Sequence, residues 1–378
     1  MKHVVVVQNV DLSEDLAVSV FLKNMLQVFS TYKDLNVEAI TARQKGKFSI
    51  KNVEIHPTNA GLYSIKDNLK FSTQVYKKLK KINKKEKVDT VDCFYPNSSL
   101  MGAVLFKLLI NRKVRLVYQV RSPWIEMAMF RGVVKKSGLF KKLAYFSEYV
   151  LSYFVDHYIF ITEGLKDYYK GKIRLKNNYS IIPSGVNTEL FYPRDGSKIR
   201  KKYGIRKNDV LLGMVGNLAR VREYDKVIKM FAELVRKNNK YKLMVVGDGE
   251  NKNELVNLSG ELGIKDSVAF TGNIKHKKVP EYISAFNIGI CHIPNIFVYQ
   301  NSFPLKVLEY SACGIPILAS DIKAHREIKK LLEGIFIYNN SLEGVVKKIK
   351  LTNKSLSFLK LNELFCWREI SNSIVEVY

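Results

Sequence analysis

Along the chain, short apolar runs alternate with longer segments in which apolar residues recur every three or four positions, the pattern of strands alternating with helices. Val4 to Val7 is a strand, residues 14–29 carry Leu16, Val20, Phe21, Met25 and Val28 at helical spacing, and Val37 to Thr41 is a second strand. Strands follow at Thr90–Tyr95, Val114–Val120, His157–Ile161 and Ser180–Ile182, with a helix at Leu100–Ile110. A polar and charged stretch at 194–209 interrupts the pattern, and the plan then repeats: strand Val210–Val215, helix 224–237, strands Leu243–Val246 and Val268–Thr271. Short strands flanked by helical segments predict parallel sheets covered on both faces, so the fold class expected is α/β, in two halves that divide near residue 190.

The stretch from Gln300 to Ser320 gathers the sharpest local signals. Ser302 suits a helix N-cap, Pro304 the first turn, where a missing N–H costs nothing, and Gly314 the left-handed position that ends a helix. A helix of about ten residues is expected, then a buried strand at Ile315–Ala319. Helical spacing places Leu305, Leu308 and Ala312 on one face for packing and directs Lys306, Glu309 and Tyr310 elsewhere. One carboxylate is thus carried on a short helix whose N-terminus is free to meet an anion. Read alone, Glu309 is equally a solvated carboxylate paired with Lys306.

Composition narrows the class. The 378 residues suffice for two domains with full cores, and 47% hydrophobic with 26% charged residues is an ordinary globular balance. No apolar run approaches the roughly 18 residues of a membrane span, and the apolar core at Val4–Val7 falls short of a signal peptide. Cys93, Cys291, Cys313 and Cys366 lie far apart, which suits free thiols in a reducing cytosol. No Cys/His spacing matches a metal site, so no metal is expected. A formal charge of +27 leaves three explanations: nucleic acid, an anionic membrane surface, or a lysine-rich composition.

The motif Pro-Leu-Lys-x-x-Glu-Tyr-x-Ala-x-Gly-x-Pro-Ile, Pro304 to Ile317, resembles the nucleotide-sugar site of retaining glycosyltransferases of family 4, the glycosyl transferases of group 1. That resemblance implies the GT-B fold, two Rossmann-like domains facing each other across a cleft. It implies an acceptor-side domain at 1–190, a nucleotide-sugar domain at 191–355 and a C-terminal helix at 356–378 returning toward the first. By the same resemblance Glu309 accepts hydrogen bonds from the donor ribose, and the backbone of Phe303, Pro304 and Leu305, beside Lys306, holds the diphosphate.

Other segments extend the match. Pro183-Ser-Gly-Val-Asn resembles the interdomain junction, with Gly185 in a turn near the donor. The family places Gly-Arg after the first strand of the second half and a Lys six residues beyond that Gly. Here Gly216 is followed by Asn217, and Arg222 takes the place of the Lys, with Arg220 close enough in sequence to substitute for the missing arginine. Gly247-Asp248-Gly249 resembles the family Gly-Asp-Gly, Asp248 suits a cap for the next helix, and the loop Gly272-Asn273-Ile274 faces the base by resemblance. Asn301 stands where many relatives have a second glutamate. Arg121-Ser-Pro-Trp-Ile-Glu126 is similar to a family Arg-Asp-x-Trp-x-Glu, with Ser122 for the Asp. Arg121 and Glu126 are therefore candidates for acceptor contact; on the residues alone they read as a local ion pair that rigidifies the loop.

The function so implied is transfer of a sugar from a nucleotide diphosphate sugar to a glycan or lipid-linked acceptor, with retention, in surface polysaccharide or glycolipid synthesis. Apart from the donor no cofactor is expected. No Asp-x-Asp occurs, so the leaving diphosphate is expected to be neutralised without a metal, by Arg222, Arg220 and the helix N-terminus. Two rivals keep the fold and change the role: a non-catalytic scaffold subunit, suggested by Asn217 and Asn301, and a sugar-nucleotide epimerase.

Two basic segments bear on location. Residues 77–87 hold seven lysines, and 127–146 interleave Met127, Met129, Phe130, Val133, Val134, Leu139, Phe140, Leu143 and Phe146 with Arg131, Lys135, Lys136, Lys141 and Lys142. The first reads as a solvated helix end or a contact to an anionic membrane surface, the second as such a contact or as helical core packing with a basic outer face, and the expected location is cytoplasmic, peripheral on the inner face of a membrane. The lysine cluster has no aromatic beyond Tyr76, so no nucleic-acid partner is expected.

Overall fold

The computed structural model describes residues 1–14, 17–61, 64–130, 138–349 and 358–378. The expected helix residue Leu16, the interfacial residues Arg131, Val133, Val134, Lys135 and Lys136, the side chain of Phe140 and the boundary at 355/356 lie outside the described residues. The chain divides into two units, Met1–Ser184 with Asn301–Phe303 and Trp367–Tyr378, and Gly185–Gln300 with Pro304–Cys366.

In chain order the first unit contains β1 (Lys2–Gln8), α1 (Ala17–Phe29), β2 (Leu35–Thr41), β3 (Glu54–Pro57), α2 (Ile65–Lys85), β4 (Thr90–Phe94) and α3 (Asn97–Leu109). It continues with β5 (Arg115–Val120), α4 (Trp124–Phe130), α5 (Leu139–Ser152), β6 (His157–Phe160), α6 (Glu163–Tyr169) and β7 (Tyr179–Ile181). The second unit holds α7 (Ser197–Lys202), β8 (Val210–Val215), α8 (Tyr224–Lys237), β9 (Tyr241–Val246), α9 (Lys252–Glu261), β10 (Val268–Phe270), α10 (Val279–Ala285) and β11 (Ile288–Cys291). Then come α11 (Phe297–Gln300), α12 (Leu305–Ala312), β12 (Ile317–Ser320), α13 (Lys323–Leu331), β13 (Ile335–Tyr338), α14 (Glu343–Val346) and α15 (Phe358–Phe365), and α16 (Trp367–Val375) rejoins the first unit.

Both sheets are parallel, in the orders β3-β2-β1-β4-β5-β6-β7 and β10-β9-β8-β11-β12-β13. Each order reverses direction beside its first strand, so each sheet has a switch point, between β1 and β4 and between β8 and β11. Open α/β sheets place ligands there, outside the carboxyl ends of the strands. The expected strand at Ile315–Ala319 begins two residues later, because Ile315 closes the helix end by donating its N–H to the Tyr310 carbonyl at 3.0 Å.

Val4 to Val7 of β1 are fully buried, which accounts for the unbroken apolar run: covered on both faces, each valine contributes about 1.5–3 kcal/mol of burial. The last helix completes this core. Trp367 packs edge-on against Phe21 at 4.7 Å, Ile370 and Ile374 are buried, and Tyr378 meets Phe29 at 5.8 Å. Between α2 and α3 the backbones touch at Gly102, where an added Cβ would lie 2.4 Å from the Ser72 carbonyl.

The register of β1, β2 and β3 brings His3, Glu38 and His56 together on one sheet face. Glu38 bridges the two imidazoles, at 2.9 Å from His3 Nε2 and in shorter contact with His56 Nε2. Burial raises the Glu38 pKa, but hydrogen bonds from His3 and His56 outweigh it and hold the group down at about 2. Burial likewise lowers the His3 pKa, and the bond to Glu38 outweighs it, so the net shift is upward. Glu38 therefore adds stability above its ordinary value, lost as pH falls toward about 2; His3 adds stability below its ordinary 6.5, lost as pH rises through its raised value. Glu38→Gln is expected to destabilise the protein most at about pH 5.5, and less at about pH 3 and about pH 8, in urea unfolding. A deficit that is the same at all three pH values would show that the cluster does not titrate with folding.

Candidate active site

In the second unit the loops that follow β8, β9 and β10 are knitted together through backbone. Gly247, at φ +141°, accepts no side chain: an added Cβ would sit 1.9 Å from the Gly216 carbonyl oxygen. Its N–H donates to the Gly272 carbonyl at 3.1 Å, and Leu218 donates to the Asp248 carbonyl at 2.9 Å. The glycines Gly216, Gly247 and Gly272 are thus explained by close approach of three loops at the strand ends. Asp248, expected to cap the next helix, does not; the N-cap of α9 is Asn251. The Asp248 carboxylate instead accepts from Lys252 Nζ at 3.0 Å and Gly249 N at 2.9 Å, and these bonds, Lys252 first, lower its pKa. Asn273 also donates its backbone N–H toward Asp248.

Arg222 ends a short 3-10 turn, Arg220–Arg222, and is followed by Glu223 in the left-handed conformation at φ 53°, a costly position for a residue with a Cβ. The turn separates the two arginines. Arg222 lies 4.8 Å over the ring of Tyr299, whereas Arg220 is exposed and pairs with Glu254 of α9. Asn217 is exposed on the loop, with its side-chain oxygen toward Gly249.

Helix α12 begins at Leu305 with Pro304 as N-cap and no side-chain cap, so Ser302 does not fill that role and the helix is eight residues long. Val307 N–H donates to the N-cap Pro304 carbonyl at 3.0 Å, which leaves the N–H groups of Leu305 and Lys306 without an acceptor within the helix. Lys306 Nζ donates to Glu309 at 2.6 Å, and the Glu309 side chain is only 13% exposed. The ion pair read from spacing is therefore present, but in a half-buried setting rather than in bulk water. The Cys291 thiol at the end of β11 is buried, which pushes its pKa up to about 12, and it feels the charges of Arg222, Lys306 and Glu309. That end adjoins the switch point between β8 and β11.

Tyr310 was expected to point away from the sheet, and it does the opposite. It is fully buried, its hydroxyl accepts from Val215 N at 2.9 Å and donates to the Ile290 carbonyl at 3.4 Å, and its ring covers Gly289. Gly289 pairs with Gly213 across β11 and β8, and Gly213 leaves the same kind of space for Phe286. The signal in the sequence was a glycine inside an apolar strand, which marks close approach of another group.

The remaining predicted residues lie elsewhere. Gly185 is buried at the start of the second unit. Asn301 and Phe303 belong to the first unit, where the Asn301 carbonyl accepts from Thr162 and Phe303 packs on the core. Arg121 and Glu126 do not pair with each other. Arg121 stacks on Phe21 at 3.7 Å and donates to Ser184 and, at 3.4 Å, to Gln119. Glu126 accepts from Tyr145. Neighbouring Glu148, absent from the sequence-based candidates, is buried, accepts from Trp124 Nε1 at 2.9 Å, and is pushed up to about 7 by burial.

Parallel sheets with switch-point loops of this kind define a two-domain nucleotide-binding architecture, and comparison with known proteins gives its class. The profile for glycosyl transferases group 1 matches residues 195–355, and that for glycosyltransferase family 4 matches residues 18–190. The chain belongs to this family and has its GT-B fold, two Rossmann-like domains. It is similar to N-acetyl-alpha-D-glucosaminyl L-malate synthase of Bacillus anthracis, 20% identical over 277 residues, 73% of this chain and 68% of that one. Among solved structures it is similar to sucrose-phosphate synthase from Thermosynechococcus elongatus, with TM-score 0.78, 16% identity and coverage of 100% of this chain and 98% of that chain. It is also similar to Anabaena HepE in complex with UDP-glucose, with TM-score 0.71, 14% identity and coverage of 100% and 99%.

Tyr310→Phe keeps the ring and removes the acceptor for Val215 N, leaving a buried donor unpaired. The expected cost is about 1–3 kcal/mol, seen as a melting temperature lowered by several degrees. A melting temperature equal to that of the parent protein would show that this hydroxyl does not hold the strand end to the helix.

Proposed function

We propose that this glycosyltransferase moves a sugar from a nucleotide diphosphate sugar to a glycan or lipid-linked acceptor with retention at the anomeric carbon. The observation that carries the reading is the half-buried Lys306–Glu309 pair on α12, a helix whose N-terminus has no side-chain cap, with Arg222 of the loop after β8 held over Tyr299 of α11. In this reading Glu309 accepts from the ribose hydroxyls, while Arg222 and the N–H groups of the first turn of α12 take the diphosphate. As the bond from the anomeric carbon to the phosphate oxygen breaks, charge grows on the leaving diphosphate, and fixed donors stabilise it. The acceptor oxygen bonds to the same face of the sugar and its proton is released. Apart from the donor no cofactor or metal enters this scheme. The likeness to a protein solved with UDP-glucose favours a uridine nucleotide. We place the reaction at the cytoplasmic face of a membrane, in surface polysaccharide or glycolipid synthesis, with Arg121 and Glu126 on the acceptor side.

A scaffold subunit without turnover is the second reading. The exposed Asn217 and the outward pairing of Arg220 leave Arg222, over Tyr299 of α11, as the one arginine of the 216–222 loop available to the proposed site.

Melting in the presence of UDP-, GDP- and ADP-sugars is expected to show a clear upward shift with one nucleotide class, by mass action. Glu309→Ala should abolish that shift, and Arg222→Ala should lower turnover by about a hundredfold to a thousandfold, as removal of one fixed donor does elsewhere. Donor binding without any turnover would favour the scaffold; unchanged affinity and turnover in both variants would remove these residues from the site.

A further inference from the structure

Most of the large apolar side chains that the described residues leave exposed lie between 105 and 153, in the first unit. On α5, Leu139, Leu143, Phe146 and Val150, with Tyr153 just beyond the helix end, follow one another at spacings of four and three, a single stripe along the helix. Leu139 is 70% and Phe146 65% exposed, values at which a side chain is wet rather than packed. The other side of α5 is the packed one: Leu151, Ser152 and Glu148 are buried. Helix α3, which packs beside α5, adds Leu105, Leu108 and Leu109, the last 66% exposed, with Ile110 just after it.

The charges around this apolar surface are predominantly positive; the exposed Asp156 beyond α5 is paired with Lys107 of α3. Residues 97–113 contain no acid, and Arg112 and Lys113 stand exposed at the end of α3. Residues 138–153 contain one acid, Glu148, which is turned inward onto Trp124, while Lys142 is exposed and Lys141 half-exposed beside the stripe. Beyond α3 lies α2, packed on it through Gly102, with exposed Lys77, Lys80, Lys81, Lys84 and Lys85. A second copy of the chain on this face would set cations against cations. A leaflet with anionic lipid offers the opposite charge and, beneath it, hydrocarbon for the apolar stripe. Tyr149 and Tyr153, whose hydroxyls lie 2.9 Å apart, have the mixed character of side chains that settle at headgroup level.

We infer that the face formed by α3 and α5, with the α2 lysines beside it, docks on an anionic lipid bilayer. The inference gives the lipid-borne acceptor reading a physical surface and rests on that reading for its purpose, while its chemistry stands on the exposed side chains alone. The segment expected from sequence ended at 146; the surface runs on to Tyr153 and takes in α3, which sequence alone read only as a helix.

The test uses the full chain and vesicles of phosphatidylcholine, with or without about one-third phosphatidylglycerol, in sedimentation at about 0.1 M and higher salt. The parent protein should sediment with the anionic vesicles at low salt and largely remain in solution with the neutral ones. Leu143→Ser combined with Phe146→Ser should lower the partition coefficient at least about tenfold. Lys141→Gln with Lys142→Gln should lower it by about fivefold per lysine, with weaker salt dependence. Leu331→Ser, at an exposed leucine of the second unit, should change nothing. Failure of the parent protein to sediment, or equal binding by the Leu143/Phe146 variant, overturns the inference. So does a parent dimer that the same variant converts to monomer without any effect on vesicles, which would assign the face to a second copy. Donor-induced melting shifts in each variant report folding and the donor site separately. Vesicle binding without any donor response would leave the docking surface standing and remove the transferase reading.

Discussion

The second unit depends on one buried phenol. Tyr310 stands on the same helix as Glu309, and its hydroxyl reaches across β11 to the backbone N–H of Val215, the last residue of β8. That bond ties α12 to the strand whose following loop carries Arg222. A residue with a Cβ at 289 would push the ring away, since the added atom would lie 2.7 Å from it, so a glycine in a central strand is a condition of the contact. Without the tie, the carboxylate on α12 and the cation after β8 would be placed by separate loops. Burial makes the tie firm, because Val215 N has no water to turn to.

The first unit uses a buried polar chain for a similar purpose. Asp92 is completely buried and accepts from Tyr378 at 2.6 Å and Gln119 at 2.7 Å; Gln119 in turn accepts from Arg121. Burial drives the Asp92 pKa up to about 7, against the pull of Tyr378, Gln119 and the Arg121 charge. Arg121 is therefore held at the end of β5 by a stacked Phe21 ring and by neighbours from β5, from the loop after β7 and, through Asp92, from the tail. Such a guanidinium is fixed in place by the protein alone. Its planar fork suits that task better than a lysine would, since stacking and hydrogen bonding act on it together.

How much of this was legible follows from what each signal measures. Parallel strands were readable because burial on both faces leaves an unbroken apolar run, as at Val4–Val7 and Val210–Val215. The Gly314 turn was readable because only a left-handed residue closes the helix there, and it has φ +71°. Tyr310 was misplaced because helical spacing sorts residues into faces without saying how wide the buried face is; here it widens to include Val307, Leu308, Tyr310, Ser311 and Ala312. Ser302 and Asp248 failed as caps because each is a good cap only if the chain turns into a helix at the next residue, and a proline and a glycine turn delay that start. Asn301 could not be assigned to the first unit from local pattern, since its bond to Thr162 spans 139 residues. The sequence leaves the face of α5 between membrane contact and core packing for a related reason: period alone cannot tell a stripe that is covered from one that is not.

Charge connects the two units' chemistry. An excess of cations is destabilising within a fold, because like charges repel, and it persists where anions are partners. In the first unit the excess is spread over solvated lysines on α2 and beside α5, where a multivalent, fluid surface can match it without fixed geometry. Near α12 of the second unit the arrangement is sparse and fixed: Arg222 is held over Tyr299, Lys306 is bound to Glu309, and Arg220 is tied outward to Glu254. For the proposed diphosphate, which needs donors at set distances, one arginine would be joined by N–H groups of the first turn of α12. The absence of a side-chain cap on that helix bears on the proposal directly: a serine or aspartate bonded to the first turn would occupy donors that an anion requires.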